Sequence, residues 1–350
     1  MKKFLLLTLF ISSFSFSQNK KEAEQKVGEG IALHDAGKFI DAISKYDEAL
    51  TLDENNQFAL TEKAMTLEAL KKYDESIELS KLILKLYPND ENETVYITYG
   101  NSLDHSGKTD LALKIYDEGL KKYPNYYQLY FNKGIALFNL KKTDEAVQAF
   151  QNSTKLNPNH AGSFNALAVL SQSNRVASIL ASSRYLTIDN QSSRAKGNLE
   201  AMIALMGKGV SKKGDNSISL SFDEEMLDKA NKKKVTENNF STVDLVLSMS
   251  AALDFDDKNK NKNDVEKYIG KFETLFQTMK EVQKKQRGYY WEFLAPYFIE
   301  MKDKNLVEPF VNSIFLAVKN KDAMDYQKDN ASKLEAFNDW SKNYQWKLSK

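Results

Sequence analysis

The chain has no cysteine, so no disulfide can stabilise it and no thiol can serve as nucleophile, metal ligand or lipid attachment point. Only four of its 49 basic residues are arginine (Arg175, Arg184, Arg194 and Arg287), which leaves few of the forked guanidinium contacts that favour phosphate and guanine recognition. With a net charge of +1, this argues against a nucleic-acid partner. The three histidines, His34, His105 and His160, stand far apart, with no H-E-x-x-H pair, and no G-x-S-x-G elbow is present. The sequence thus nominates neither a zinc centre nor a hydrolase serine. No cofactor or metal is expected, and the chain reads as non-enzymatic. Proline is scarce, five in 350 residues, and no strand pattern of any length stands out. An all-α chain is expected.

Long hydrophobic runs are also missing. The N-terminal run FLLLTLFI, Phe4 to Ile11, is far shorter than the ~20 residues that span a bilayer. It follows Met1-Lys2-Lys3 and precedes SSFSFSQNK, the order of positive end, greasy segment and small-residue exit found in a secretory signal peptide. Residues 1–17 are expected to be that peptide, cut after Ser17. Loss of Lys2 and Lys3 takes the net charge from +1 to −1. The mature chain, without a membrane span, is expected in the periplasm or outside the cell.

What is present is a rhythm. GIAL occurs at Gly30 and again at Gly134, and small residues recur at Gly30, Ala64, Gly100, Gly134 and Ala168, spaced 34, 36, 34 and 34 apart. Leu33, Leu67, Leu103 and Leu137 follow three later. A second small residue comes at Ala42, Ser76, Ala112 and Ala146, with Tyr46, Ser80, Tyr116 and Phe150 four further on. Pro88, Pro124 and Pro158 fall at one place in their units. Each unit reads as two amphipathic helices: small residues let them approach, large ones fill between, and proline stops the second. Asp35-Ala36-Gly37-Lys38 and His105-Ser106-Gly107-Lys108 are turn signals between the pair. One such unit cannot bury its apolar face, so copies must stack into a solenoid.

The pattern resembles the tetratricopeptide repeat family, whose signature runs approximately W-x2-L-G-x2-Y, A-x3-F, then A and P. Windows 23–56, 57–90, 93–126 and 127–160 match, and 161–190 resembles a degenerate fifth, shortened near Asn174. The family's first Trp is replaced by Lys26, Leu60, Tyr96, Tyr130 and Phe164. The resemblance covers about half the chain and implies an α-α superhelix over residues 23–190. It also implies that positions 2, 5, 9 and 12 of each unit line a concave groove, here including Phe58, Met65, Ile97, Asn101, Phe131, Ile135, Phe138 and Val169. Some relatives grip a peptide C-terminus with a Lys and Asn clamp. Only Asn101 resembles an element of it, so an apolar groove for a protein or peptide partner is expected instead.

Beyond Ala195 the rhythm fades but helical patterning continues. Helices are predicted near 195–207, 222–233, 241–255, 264–285, 288–302, 305–319 and 332–347, giving a helical C-terminal region over 195–350. The breaks GKGVSKKGDNS and DDKNKNKND read as linkers. In the first, Asp215 stands where a phosphate loop needs lysine. In the second, Asp257, Asn259 and Asn261 have calcium-loop spacing, but Lys262 replaces the turn glycine and Tyr268 the bidentate glutamate. The aromatic run GYYWEFLAPYF reads as helical core rather than a stacking surface, with a kink predicted at Pro296. Two readings follow. The first is a non-enzymatic scaffold of the bacterial cell envelope with a polypeptide in its groove, unless the C-terminal helices cover that groove. The alternative is an enzyme or small-ligand module in residues 195–350 with the repeats as docking arm.

Overall fold

The computed structural model describes residues 2–90, 92–213, 217–221 and 236–347, with side chains from residue 18 onward. The chain divides into two compact units, Met1–Ala149 and Phe150–Lys350. The 34-residue rhythm ends elsewhere, at 190–195, because it marks local sequence periodicity, whereas compactness depends on which helices pack together.

In the first unit, α1 (Lys2–Asp35) precedes α2 (Phe39–Leu52), α3 (Gln57–Ala69), α4 (Tyr73–Leu86), α5 (Glu93–His105), α6 (Thr109–Lys122), α7 (Tyr127–Asn139) and the start of α8 (Thr143–Leu156). The pairs α1–α2, α3–α4 and α5–α6 are helical hairpins. Each second helix packs on the next first helix, and α1, α3, α5 and α7 touch in succession. This is the nearest-neighbour stacking expected of a solenoid. The expected signal peptide falls on the start of α1, where side chains lie outside the described residues.

The small residues act as the pattern requires. A Cβ placed on Gly30 would overlap the Tyr46 ring, and one on Gly100 the Tyr116 ring, and both tyrosines are buried. Where the unit carries Ala64, the corresponding second-helix residue is the small Ser80. Here the hairpin is fastened by hydroxyls: Ser76 Oγ donates to the Ala64 carbonyl at 2.9 Å, and Ser102 Oγ to Ser76 Oγ at 2.9 Å.

Each hairpin turn closes the same way. Gly37 and Gly107 are left-handed, at φ 72° and 79°, and the following Lys38 and Lys108 amides reach back to Leu33 and Leu103 at 2.8 Å. The equivalent residues of the other turns are Lys71 and Lys141, held at φ 62° and 63° with the same pairing. A side chain in this region costs about 1–2 kcal/mol, partly offset by the smaller freedom it has to lose on folding. Lys71→Gly is therefore expected to raise stability by about 0.5–1 kcal/mol, read as a shift in urea midpoint with unchanged slope.

The prolines sit two residues after the ends of α4, α6 and α8, where they block continuation without costing a helical bond. The 36-residue interval has a local use: Asn92, added before α5, caps it by accepting from the Val95 amide at 3.3 Å and donates to Thr61 Oγ1 at 2.9 Å.

The second unit continues from α8 with α9 (Ala161–Leu170), α10 (Arg175–Ile188) and α11 (Ala195–Gly207). Then come β1 (Val210–Lys213), β2 (Ser217–Leu220), α12 (Ser241–Ala252), α13 (Asp264–Val282), α14 (Ala295–Asp303), α15 (Val307–Phe315), α16 (Lys321–Asp329) and α17 (Ala331–Lys342). Helix α10 is its centre. Every residue from Arg175 to Leu186 is buried, and α9, α11, α12 and α15 pack around it. Phe272, Phe276, Phe298, Phe310 and Phe337 form an aromatic core beside it, with neighbouring rings 5.1–6.4 Å apart.

Several expectations are corrected. Within and just beyond the stretch read as a linker, Val210–Lys213 and Ser217–Leu220 pair as a small antiparallel ribbon, Val210 opposite Leu220. Its four-residue strands are mostly exposed, too short and polar to show alternation in sequence. The predicted helix at 222–233 and Asp215 lie outside the described residues. Helix α16 was not expected. Near 288–302, Tyr290–Leu294 is a π-helical turn, with the Ala295 amide bonding to the Tyr290 carbonyl. Pro296, which cannot donate, then enters the first turn of α14. The register change thus falls beside the proline, where the sequence predicts a kink.

Candidate functional site

The groove positions carried over from the family lie on the first helix of each hairpin. In the first unit, Phe58 of α3 is 73% exposed, and Ile135 and Phe138 of α7 are 37% and 41% exposed. These are large apolar side chains that the stack leaves in contact with solvent. Met65, Ile97 and Phe131 are half-buried between helices. In the second unit, Val169 of α9 is 53% exposed.

Asn101 is half-buried and hydrogen-bonded within the repeats. Its Oδ1 accepts from Tyr116 Oη at 2.7 Å, and it also hydrogen-bonds the Glu68 carboxyl. The amide joins α3, α5 and α6. Burial pushes the Glu68 carboxyl up to about 7, against the opposing effect of this bond, and raises the Tyr116 phenol well above its ordinary value.

Glu68 belongs to a polar row that the apolar reading of the groove passes over. Position 12 of the four units is His34, Glu68, Asp104 and Phe138. His34 Nδ1 pairs with Thr66 Oγ1 at 2.7 Å, and Asp104 accepts from Asn139 Nδ2 at 3.1 Å and from Thr109 Oγ1 at 2.7 Å. Each bond joins neighbouring helices or closes a turn. The signal was available in the repeat windows themselves, since position 12 is one of the four groove positions.

The lysines of these first helices are turned elsewhere. From residue 23 to the end of α7 the first helices carry Lys26, Lys63 and Lys133. Lys26 pairs with Glu48 at 2.6 Å, Lys63 with Asp47 at 2.5 Å and Lys133 with Asp117 at 2.5 Å. All three carboxylates stand on second helices. At the end of α7, Lys141 lies over the Phe138 ring, 5.7 Å from its centroid.

The second unit's aromatics are structural. Tyr289 Oη pairs with Thr154 Oγ1 at 2.7 Å and Tyr290 Oη with Ser171 Oγ at 2.6 Å. Trp291 stacks on Phe240 at 4.3 Å and donates through Nε1 to the Asn239 carbonyl at 3.1 Å. These bonds fix the C-terminal helices against α8 and the end of α9, while Val169 stays exposed. The buried cations are likewise held by protein groups: Arg175 by Asp244 at 3.0 Å and Ser248 at 2.8 Å, and Lys271 by Asp254. Among the described residues, no three His, Asp or Glu side chains converge as a metal site, and no helix is long and apolar enough to cross a membrane.

The first unit is thus an α-hairpin repeat protein with an apolar, partly acidic row along its first helices. More particularly, residues 127–160 match the tetratricopeptide repeat family model, so the resemblance read from the sequence is borne out there. No match is found among curated proteins. Among solved structures, the chain is similar to YrrB, a TPR protein with an unusual peptide-binding site, at 22% identity and TM-score 0.39, over 54% of this chain and 96% of that one. It is also similar to TTC0263, a TPR protein of Thermus thermophilus, at 17% identity and TM-score 0.43, over 53% and 98% of the two chains. For pilF of Pseudomonas aeruginosa the values are 17% and 0.44, over 54% and 90%. Likeness at this level carries no argument about what the chain binds.

Proposed function

We propose that the protein is a non-enzymatic interaction scaffold of the bacterial cell envelope, exported by its N-terminal segment, which holds a polypeptide partner along the first helices of its repeats. The observation that carries this reading is the exposure of Phe58, Ile135 and Phe138 on helices whose other faces are packed. Solvated large apolar side chains on a well-packed array are the anchors by which a few residues supply most of an interface's affinity. The signal-like order of residues 1–17 supports an envelope location.

Crosslinking in the native envelope, followed by identification of the attached chains, tests the proposal. With Phe131→Asp and Phe138→Asp together, the crosslinked partner is expected to disappear while the circular dichroism spectrum is unchanged. An unchanged partner set in this variant would sink the scaffold reading.

A further inference from the structure

The side chains along the first helices also constrain the chemistry of the partner. Positions 2, 5, 9 and 12 of the first four units contain neither lysine nor arginine, although the chain has 49 of them. They do contain three carboxylates, Glu24, Glu68 and Asp104, among apolar residues such as Phe58, Ile97 and Ile135. From residue 23 to the end of α7 the lysines of these helices are bonded to Glu48, Asp47 and Asp117 on the second helices, away from Glu68 and Asp104. Lys141, over Phe138, is a cation at one edge of the row.

Among the described residues, the two inner carboxyl groups are held by hydrogen bonds rather than by salt bridges. Asp104 receives hydrogen bonds from Asn139 and Thr109, and Glu68 from Asn101. All are neutral donors, and a carboxylate has acceptor sites beyond these. Burial raises the Glu68 carboxyl to about 7, so it bears its full charge only above that pH, and an approaching cation favours the ionised form. Above about pH 7 an anionic or C-terminal-carboxylate ligand would meet like charge here.

We propose that the occupant of this row is a cationic amphipathic segment of a partner protein, its large apolar side chains on Phe58, Ile135 and Phe138 and its lysine or arginine side chains on Glu68 and Asp104. This rests on the scaffold reading above and specifies its ligand. Charge complementarity selects among apolar peptides that the anchors alone would accept, and it contributes more to specificity and association rate than to total affinity.

The test uses the full-length chain and three fluorescein-labelled peptides of equal length, leucine-rich, with lysine, glutamine or glutamate at the same polar positions. At about pH 8, above the Glu68 value, fluorescence anisotropy is expected to rank them lysine, then glutamine, then glutamate, with the lysine peptide weakening as salt is raised. Glu68→Gln with Asp104→Asn, substitutions that retain acceptor oxygens, is expected to weaken the lysine peptide about tenfold and leave the glutamine peptide unchanged. Phe58→Asp with Phe138→Asp is expected to weaken the leucine–glutamine peptide as well. Equal binding of all three peptides, or indifference of the lysine peptide to the Glu68 and Asp104 changes, overturns the charge inference; if binding is still lost in the phenylalanine variant, the groove reading survives. Absence of binding by every peptide overturns the charge inference. Binding indifferent to the phenylalanine changes overturns both.

Discussion

Arg184→Ala is expected to destabilise the second compact unit by about 3–5 kcal/mol. Arg184 is 1% exposed and has no carboxylate among its hydrogen-bond partners. Its fork instead donates to the Pro158 carbonyl at 3.0 and 3.2 Å, Asn159 Oδ1 at 2.6 Å, Ser341 Oγ at 3.0 Å and Tyr297 Oη at 3.3 Å. The guanidinium also lies 5.0 Å and 5.1 Å from the ring centroids of Tyr297 and Trp346. Alanine would leave several buried acceptors unsatisfied and a cavity beside two aromatic rings, and each effect costs more than an ordinary surface change. Arg184→Lys is expected to recover only part of the loss, since an ammonium cannot span a planar fork of partners. All three tryptophans (Trp291, Trp340 and Trp346) are in this unit, so their fluorescence during urea unfolding reports it selectively. Unfolding of Arg184→Ala at the parent midpoint would contradict this account.

The second large effect has the opposite sign and depends on pH. Glu68→Gln is expected to stabilise the first unit by up to about 3 kcal/mol at pH 8 and to change little at pH 4. The Glu68 carboxyl is raised from 4.5 to about 7, mainly by burial. Between those values the folded chain retains a proton that the unfolded chain has released, so stability falls as pH rises through this window. Above about 7 the folded state must bear an ionised, poorly solvated carboxylate. The groups facing it are Asn101 of α5, which lowers its pKa through a hydrogen bond, and Tyr116 of α6, whose phenol burial raises far above this range. Glutamine keeps the acceptor for Asn101 and carries no charge. Urea melts followed by circular dichroism across pH 4 to 8 should show a slope in the parent that is absent in the variant. Parallel profiles would exclude Glu68 as its source.

The hairpin array was legible before any coordinates because its determinants are local and repeated. Gly30 and Gly100 recur at the repeat spacing, since a side chain there would meet Tyr46 or Tyr116, and Pro88, Pro124 and Pro158 mark the same helix ends. Phe58, Ile135 and Phe138, named from the same spacing, are exposed apolar side chains. Glu68 and Asp104 occupy equally regular positions, but charged residues on helices are usually solvated. Only contact with Asn101 and Asn139, from neighbouring helices, distinguishes these two from the rest. The ribbon at Val210–Leu220 left no periodic trace in four-residue strands.

Helical repeats, their turns and their order thus followed from the sequence alone, because side-chain size at fixed intervals decides whether two adjacent helices can close on each other. Which polar side chains become buried was decided by tertiary structure. Arg184 reaches Tyr297 and Ser341, residues 113 and 157 positions along the chain, and no periodicity connects them. Burial of such a charge is set by how distant helices enclose it, and the sequence around it carries no mark of that enclosure.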